Sequence, residues 1–105
     1  MGLRENLLTT MASWMENQEE TNKLEEEGSD EVIATTFQNA RDMVLFWLED
    51  DYQWFLDSYW PEDGEVVGAE EMIGVLRSIT PPPGLRLFDK GSTCIEKIRS
   101  ELTPK

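Results

Sequence analysis

The chain contains no histidine and only one cysteine, Cys94. Without histidine it lacks the commonest general base and the commonest metal ligand. A Ser-His-Asp or Cys-His triad cannot be assembled. One thiol and no imidazole also exclude a Cys/His zinc site. A lone cysteine forms no internal disulfide, whereas small secreted domains are usually stapled. The expected compartment is therefore reducing and cytoplasmic. Basic residues are scarce: nine Lys and Arg stand against 22 Asp and Glu, a net charge of −13. Phosphate affinity needs clustered Lys and Arg, so direct nucleic-acid binding is not expected. The longest apolar run, Met43 to Leu48, is six residues. A spanning helix needs about 20, so no membrane span is expected. No glycine motif that would cradle a phosphate is present. At the N-terminus, Glu5 and Asn6 interrupt any signal-like apolar stretch, and Asn6 stands where myristoylation requires Ser or Thr.

What the chain does have is aromatic residues. Ten rings in 105 residues, each able to bury about 150–250 Å², supply a core that a chain disordered by its own charge would lack. One domain over residues 1–105 is expected.

Leu3, Leu7, Leu8, Met11, Trp14 and Met15 recur at helical spacing and predict a first amphipathic helix. The stripe then stops. Glu16 to Glu27 holds six glutamates and one lysine, and residues 16–30 read as a polar, mobile helix end and linker. Gly28 suits a helix C-terminus, and Ser29 with Asp30 and Glu31 suits the start of the next helix. Ile33, Phe37, Ala40, Val44, Trp47 and Leu48 keep that helix periodic. Met43–Leu48 is apolar all round and predicts a central helix contacted on more than one face. Asp51 falls in the apolar stripe, where a lone carboxylate is costly to bury, so a break near Glu49–Asp51 is expected. A short helix follows from Tyr52 to Trp60, with Phe55, Leu56 and Tyr59 inward, ended by Pro61. Gly68 to Glu71 opens a further helix carrying Met72, Ile73, Val75, Leu76 and Ile79, stopped by the proline run at Pro81. Thr93 and Glu96 form a capping box for a last helix with Ile95, Ile98 and Leu102 inward. The expected fold is all-α, a compact bundle of four to five helices, with one short marginal strand pair allowed near residues 65–67 and 85–88.

Carboxylates are the chemistry left. Glu16-x-x-Glu19 and Glu27-x-x-Asp30 resemble the paired magnesium-binding motifs of small all-α nucleotide pyrophosphohydrolases. Only seven residues separate the two, too few for two facing helices, and the favoured reading is a solvated acidic face. No metal site and no cofactor are expected. Cys94, near a helix start, reads as a small buried apolar residue rather than a reactive thiol.

Charge is unevenly placed. Residues 1–71 carry three basic and 19 acidic residues, and residues 72–105 carry six basic and three acidic ones. The densest mixture of carboxylates and rings is Glu49–Asp63. The expected partner-binding residues are Glu49, Asp50, Asp51, Trp54, Asp57, Trp60, Glu62 and Asp63. Aromatic anchors within an acidic rim suit a basic protein partner. The alternative is that these rings are core and the acids their solvent side. The expected function is therefore non-catalytic: a small acidic binding or regulatory protein, acting as an adaptor, assembly factor or subunit. A nucleic-acid-mimicking inhibitor or immunity-type protein is the second reading, because carboxylates three or four apart on a helix approach phosphate spacing. A carboxylate- and magnesium-dependent helical enzyme is the third. Homo-oligomerisation is left open.

Overall fold

The computed structural model describes residues 2–25, 34–86, 89 and 91–102. Five helices make up the described fold: α1 (Leu3–Glu25), α2 (Phe37–Asp50), α3 (Tyr52–Tyr59), α4 (Ala69–Ser78) and α5 (Ser92–Leu102). The all-α bundle expected from periodicity is what forms. Glu65–Val67 and Leu85–Arg86 are not strands. Residues 87 and 88, the rest of the allowed strand pair, lie outside the described residues.

Two helices organise the core. α1 packs against α5, α2 and α4, while α2 packs against α1, α4 and α3. From α1, Leu7, Leu8, Met11, Trp14 and Met15 of the stripe read from spacing are buried, together with Ala12, while Leu3 is half-buried at the start of the helix. They meet Phe37, Ala40, Val44 and Leu48 of α2, Phe55 of α3, Met72 and Leu76 of α4, and Cys94 and Ile98 of α5. Each fully buried Leu, Met or Phe contributes about 1.5–3 kcal/mol, so this set dominates the favourable side of folding.

The polar half of α1 stays helical through Glu25 without an apolar stripe. Side-chain bonds hold it instead. Arg99 of α5 donates to Glu16 at 3.0 Å, and the buried Thr35 hydroxyl donates to Glu19. The Gly91 N–H donates to the Thr35 carbonyl and hydroxyl at 3.1 and 3.0 Å. Gly91 takes φ +68° there, a conformation that favours glycine. One network thus joins α1, the segment before α2 and the start of α5.

The start of α2 differs from its expected place. Ala34 and Thr35 are not helical, and the N-cap is Thr36, whose side chain accepts from the Asn39 N–H at 3.1 Å. Asn39 also donates to the Ala34 carbonyl. Gly28, Ser29, Asp30, Glu31 and Ile33, read as the junction, lie outside the described residues. α5 begins at Ser92, one residue ahead of the Thr93 expected to cap it. α4 begins after Gly68 with Glu71 in its first turn, as its sequence indicates. Arg41 reaches from α2 to the end of α4, donating to the Ile79 carbonyl at 3.0 Å with its guanidinium 5.7 Å from the Phe37 ring centre. A cation placed there satisfies a carbonyl that the finished helix leaves unpaired.

Candidate functional site

The break expected at Glu49–Asp51 is present, and Asp51 builds it. Its N–H donates to the Trp47 carbonyl at 3.0 Å, closing α2. Its carboxylate accepts from the Trp54 N–H at 3.0 Å, opening α3. Asp51 thereby leaves the core stripe, which removes the cost of burying it. The turn swings α3 back so that its rings meet those of α2. Trp47 stacks on Tyr59 with centroids 4.5 Å apart. Trp54 stands edge-on to both, 5.9 Å from Trp47 and 5.7 Å from Tyr59. Tyr59 in turn lies 6.2 Å from the buried Phe55. A continuous run of rings leads from the surface at Trp54 into the core.

Seven of the eight expected partner-binding residues are exposed: Glu49, Asp50, Asp51, Trp54, Asp57, Glu62 and Asp63. Trp54 is 44% exposed. Trp60 is the exception. It is 7% exposed and packs on Phe55 at 5.8 Å, and its indole N–H donates to the Glu65 carbonyl at 3.0 Å. It is a core residue, not a surface anchor. The helical period had pointed it outward. The helix ends one residue earlier, however, and Trp60 takes extended backbone angles that free its side chain from that period. The Pro61–Gly64 turn folds over its indole so closely that a β-carbon on Gly64 would sit 2.8 Å from the ring nitrogen. Only glycine fits under that contact.

Within the acidic set, three carboxylates have partners among the described residues. Glu49 pairs with Arg77 at 3.6 Å, Asp57 accepts from Gln53 at 3.1 Å, and Asp51 caps α3. Both members of the Glu49–Arg77 pair are largely exposed, so its net worth is small.

Two features escaped the sequence reading. The first is Phe46, 60% exposed despite lying in the six-residue apolar run. Six consecutive helical residues cover every direction, so at least one must face outward. Asp42, Glu49 and Asp50, at four before and three and four after, mark Phe46 as that residue. With Trp14, Asn39, Asp42 and Met43 it lines an open apolar cleft of about 420 Å³ between α1 and α2. The second is a smaller cleft of about 290 Å³, lined by Asn6, Thr9, Thr10, Ser13, Tyr59, Pro61 and Asp63. Asn6 is buried there, and its amide nitrogen has no hydrogen-bond partner among the described residues.

Cys94 is fully buried, as its apolar reading required. Burial pushes its thiol up to about 11, with the nearby Asp89 carboxylate acting in the same direction. Among the described residues no cluster of three or more Cys, Asp or Glu is placed to hold a metal ion, and no helix is long and apolar enough to cross a membrane. Comparison with family models, with curated proteins and with solved structures gives no significant match.

Proposed function

We propose that this chain is a small acidic, non-catalytic binding or regulatory protein, an adaptor, assembly factor or subunit of the cytoplasm, that docks a basic protein surface through the corner between α2 and α3. One observation carries this reading. Trp54 is exposed yet held by edge-on contacts to Trp47 and Tyr59, and exposed carboxylates of Glu49, Asp50, Asp51 and Asp57 surround it in sequence. A ring whose rotamer is already restrained loses little entropy on docking. The acids speed encounter with a cationic partner and set its register. Glu62 and Asp63 extend the same charge past the end of α3.

A nucleic-acid mimic is the second reading. It is favoured by Asp42, Glu49 and Asp50, exposed acids of α2 that lie about two helical turns apart and give the helix a negative side. The magnesium-enzyme reading gains nothing from Glu16 and Glu19, which are engaged by Arg99 and Thr35.

The test is retention of a partner from a host lysate on immobilised wild-type protein, beside Trp54→Ala and a triple Asp50→Asn, Asp51→Asn, Asp57→Asn variant. The expected result is a basic protein released by salt and lost from both variants. Release by added duplex DNA, with Trp54→Ala still binding, selects the mimic. Identical retention by all three proteins rejects the corner as the site.

A further inference from the structure

We propose that the cleft between α1 and α2 receives an apolar side chain from a Lys- and Arg-rich helical segment of the basic partner. The inference rests on the proposed function and adds a second contact to it.

Phe46 supplies the first argument. It is a large ring, 60% exposed, more than Trp54 at 44%, and no ring contact holds it among the described residues. A large apolar group standing free beside an apolar cleft is characteristic of a docking site. The cleft is built on firm ground. Trp14 is buried and belongs to the core, so it offers a fixed wall. Met43 is half-buried opposite it and can adapt its shape to what enters. The volume, about 420 Å³, falls within the range that takes a compact apolar group.

The rim identifies the occupant. Of the four α2 neighbours of Phe46 at helical spacing, Met43 lines the cleft and Asp42, Glu49 and Asp50 are exposed and acidic, Glu49 within 3.6 Å of the exposed Arg77. The basic residue of α2, Arg41, is turned away onto the Ile79 carbonyl and the Phe37 ring. An apolar anchor flanked by cations meets every one of these features. A helix presents an anchor with Lys or Arg three and four positions away, the same spacing as the acids around Phe46. A second copy of this chain is disfavoured, since each carries −13 and docking would set acids against acids. An anionic lipid surface is disfavoured for the same reason. Asp50 lies both beside Phe46 and in the corner set, so the cleft and the corner form one continuous surface.

The probe is a synthetic helical peptide with Leu on one face and Lys elsewhere. Oligolysine and a Glu/Leu peptide of equal length serve as controls. Binding is read by NMR from the Met43 methyl, the Trp14 indole N–H and the Trp54 indole N–H of the full chain. Expected are shifts at Met43 and Trp14 with the Lys/Leu peptide, at least tenfold weaker binding by oligolysine, and none by the Glu/Leu peptide. Phe46→Ala should weaken the Lys/Leu peptide at least tenfold, and Asp42→Lys should weaken it with a smaller salt dependence. Both positions are exposed to solvent, and unchanged circular dichroism checks the fold. Lys/Leu binding that shifts Trp54 alone and ignores Phe46→Ala overturns the cleft while leaving the corner standing. Equal binding of the Glu/Leu peptide overturns the cationic occupant. Absence of any salt-dependent shift at either place overturns both the cleft and the proposed function.

Discussion

The rings of Trp47 and Tyr59 lie 4.5 Å apart and within 14° of parallel, which fastens the last turn of α3 to the last turn of α2. Everything proposed for the corner depends on that clasp, because Trp54 leans on both rings. Trp47 is half-buried whereas Trp54 is exposed, so truncating Trp47 should cost the fold more than truncating Trp54. Trp47→Ala should lower unfolding stability by about 3 kcal/mol. Trp54→Ala should cost about 1 kcal/mol, the worth of its edge contacts. A double-mutant cycle between Trp47 and Tyr59 should return about 0.5–1.5 kcal/mol of coupling in urea unfolding. Equal losses for Trp47→Ala and Trp54→Ala would mean that Trp54 is structural and not an anchor.

Asp51 carries a structural task apart from any charge it offers a partner. Asp51→Ala removes the cap on the Trp54 N–H and should destabilise the fold by about 1 kcal/mol. Asp51→Asn keeps a capping oxygen and should stay within a few tenths of wild type. The pair separates capping from charge, since both remove the carboxylate. Urea midpoints of the two variants give the answer, and equal midpoints would deny the cap any role.

Asn6 presents the opposite case, a buried amide nitrogen without a partner among the described residues. An unmet buried donor costs about 1–3 kcal/mol. Asn6→Leu, similar in volume, should therefore raise the thermal midpoint. A fall would show that the amide is satisfied in solution, by ordered water in the adjoining cleft.

High pH should weaken the fold through two neutral acids. Burial pushes the Cys94 thiol from 9 up to about 11 and raises the Tyr52 hydroxyl, which donates to the Val67 carbonyl. A raised pKa in the folded state means that the folded chain holds protons the unfolded chain has released. The associated stability is complete below pH 9 and is lost as pH climbs toward about 11. Urea midpoints from about pH 8 to pH 11 should fall, and Cys94→Ala should make the fall shallower. A slope unchanged by Cys94→Ala would remove the thiol from the account. At neutral pH the folded protein should also resist thiol-labelling reagents until denatured, because the thiolate is scarce and the sulfur is enclosed.

Much of the fold is local and can be read from spacing. The stripe Leu7–Met15 became the buried face of α1. The Asp51 break, the Pro61 stop and the Gly68 start each follow from what one residue does to its own backbone. The misread places are those where a distant contact decides. Ser29 has a good cap signature, yet Ala34 and Thr35 are not helical and α2 starts after Thr36. There Thr35 is gripped by Gly91 and Glu19 from other parts of the chain. Polar spacing in α1 after Met15 leaves nothing to bury, and the bonds from Arg99 and Thr35 that secure it come from far along the sequence.

The candidate surface divides in the same way. Composition and period by themselves settled that this chain forms helices, that it lacks histidine chemistry, and that acids and rings crowd Glu49–Asp63, because these depend only on residue type and neighbours along the helix. Which rings face outward was decided by the tertiary structure. Trp60 turned inward once the helix stopped at Tyr59 and the Pro61–Gly64 turn closed over its indole. Phe46 was left outward because α1 and α4 cover the other sides of α2. The exposure of a ring on a helix touched on several sides depends on which gaps its neighbours leave, and that is fixed by packing between segments distant in sequence.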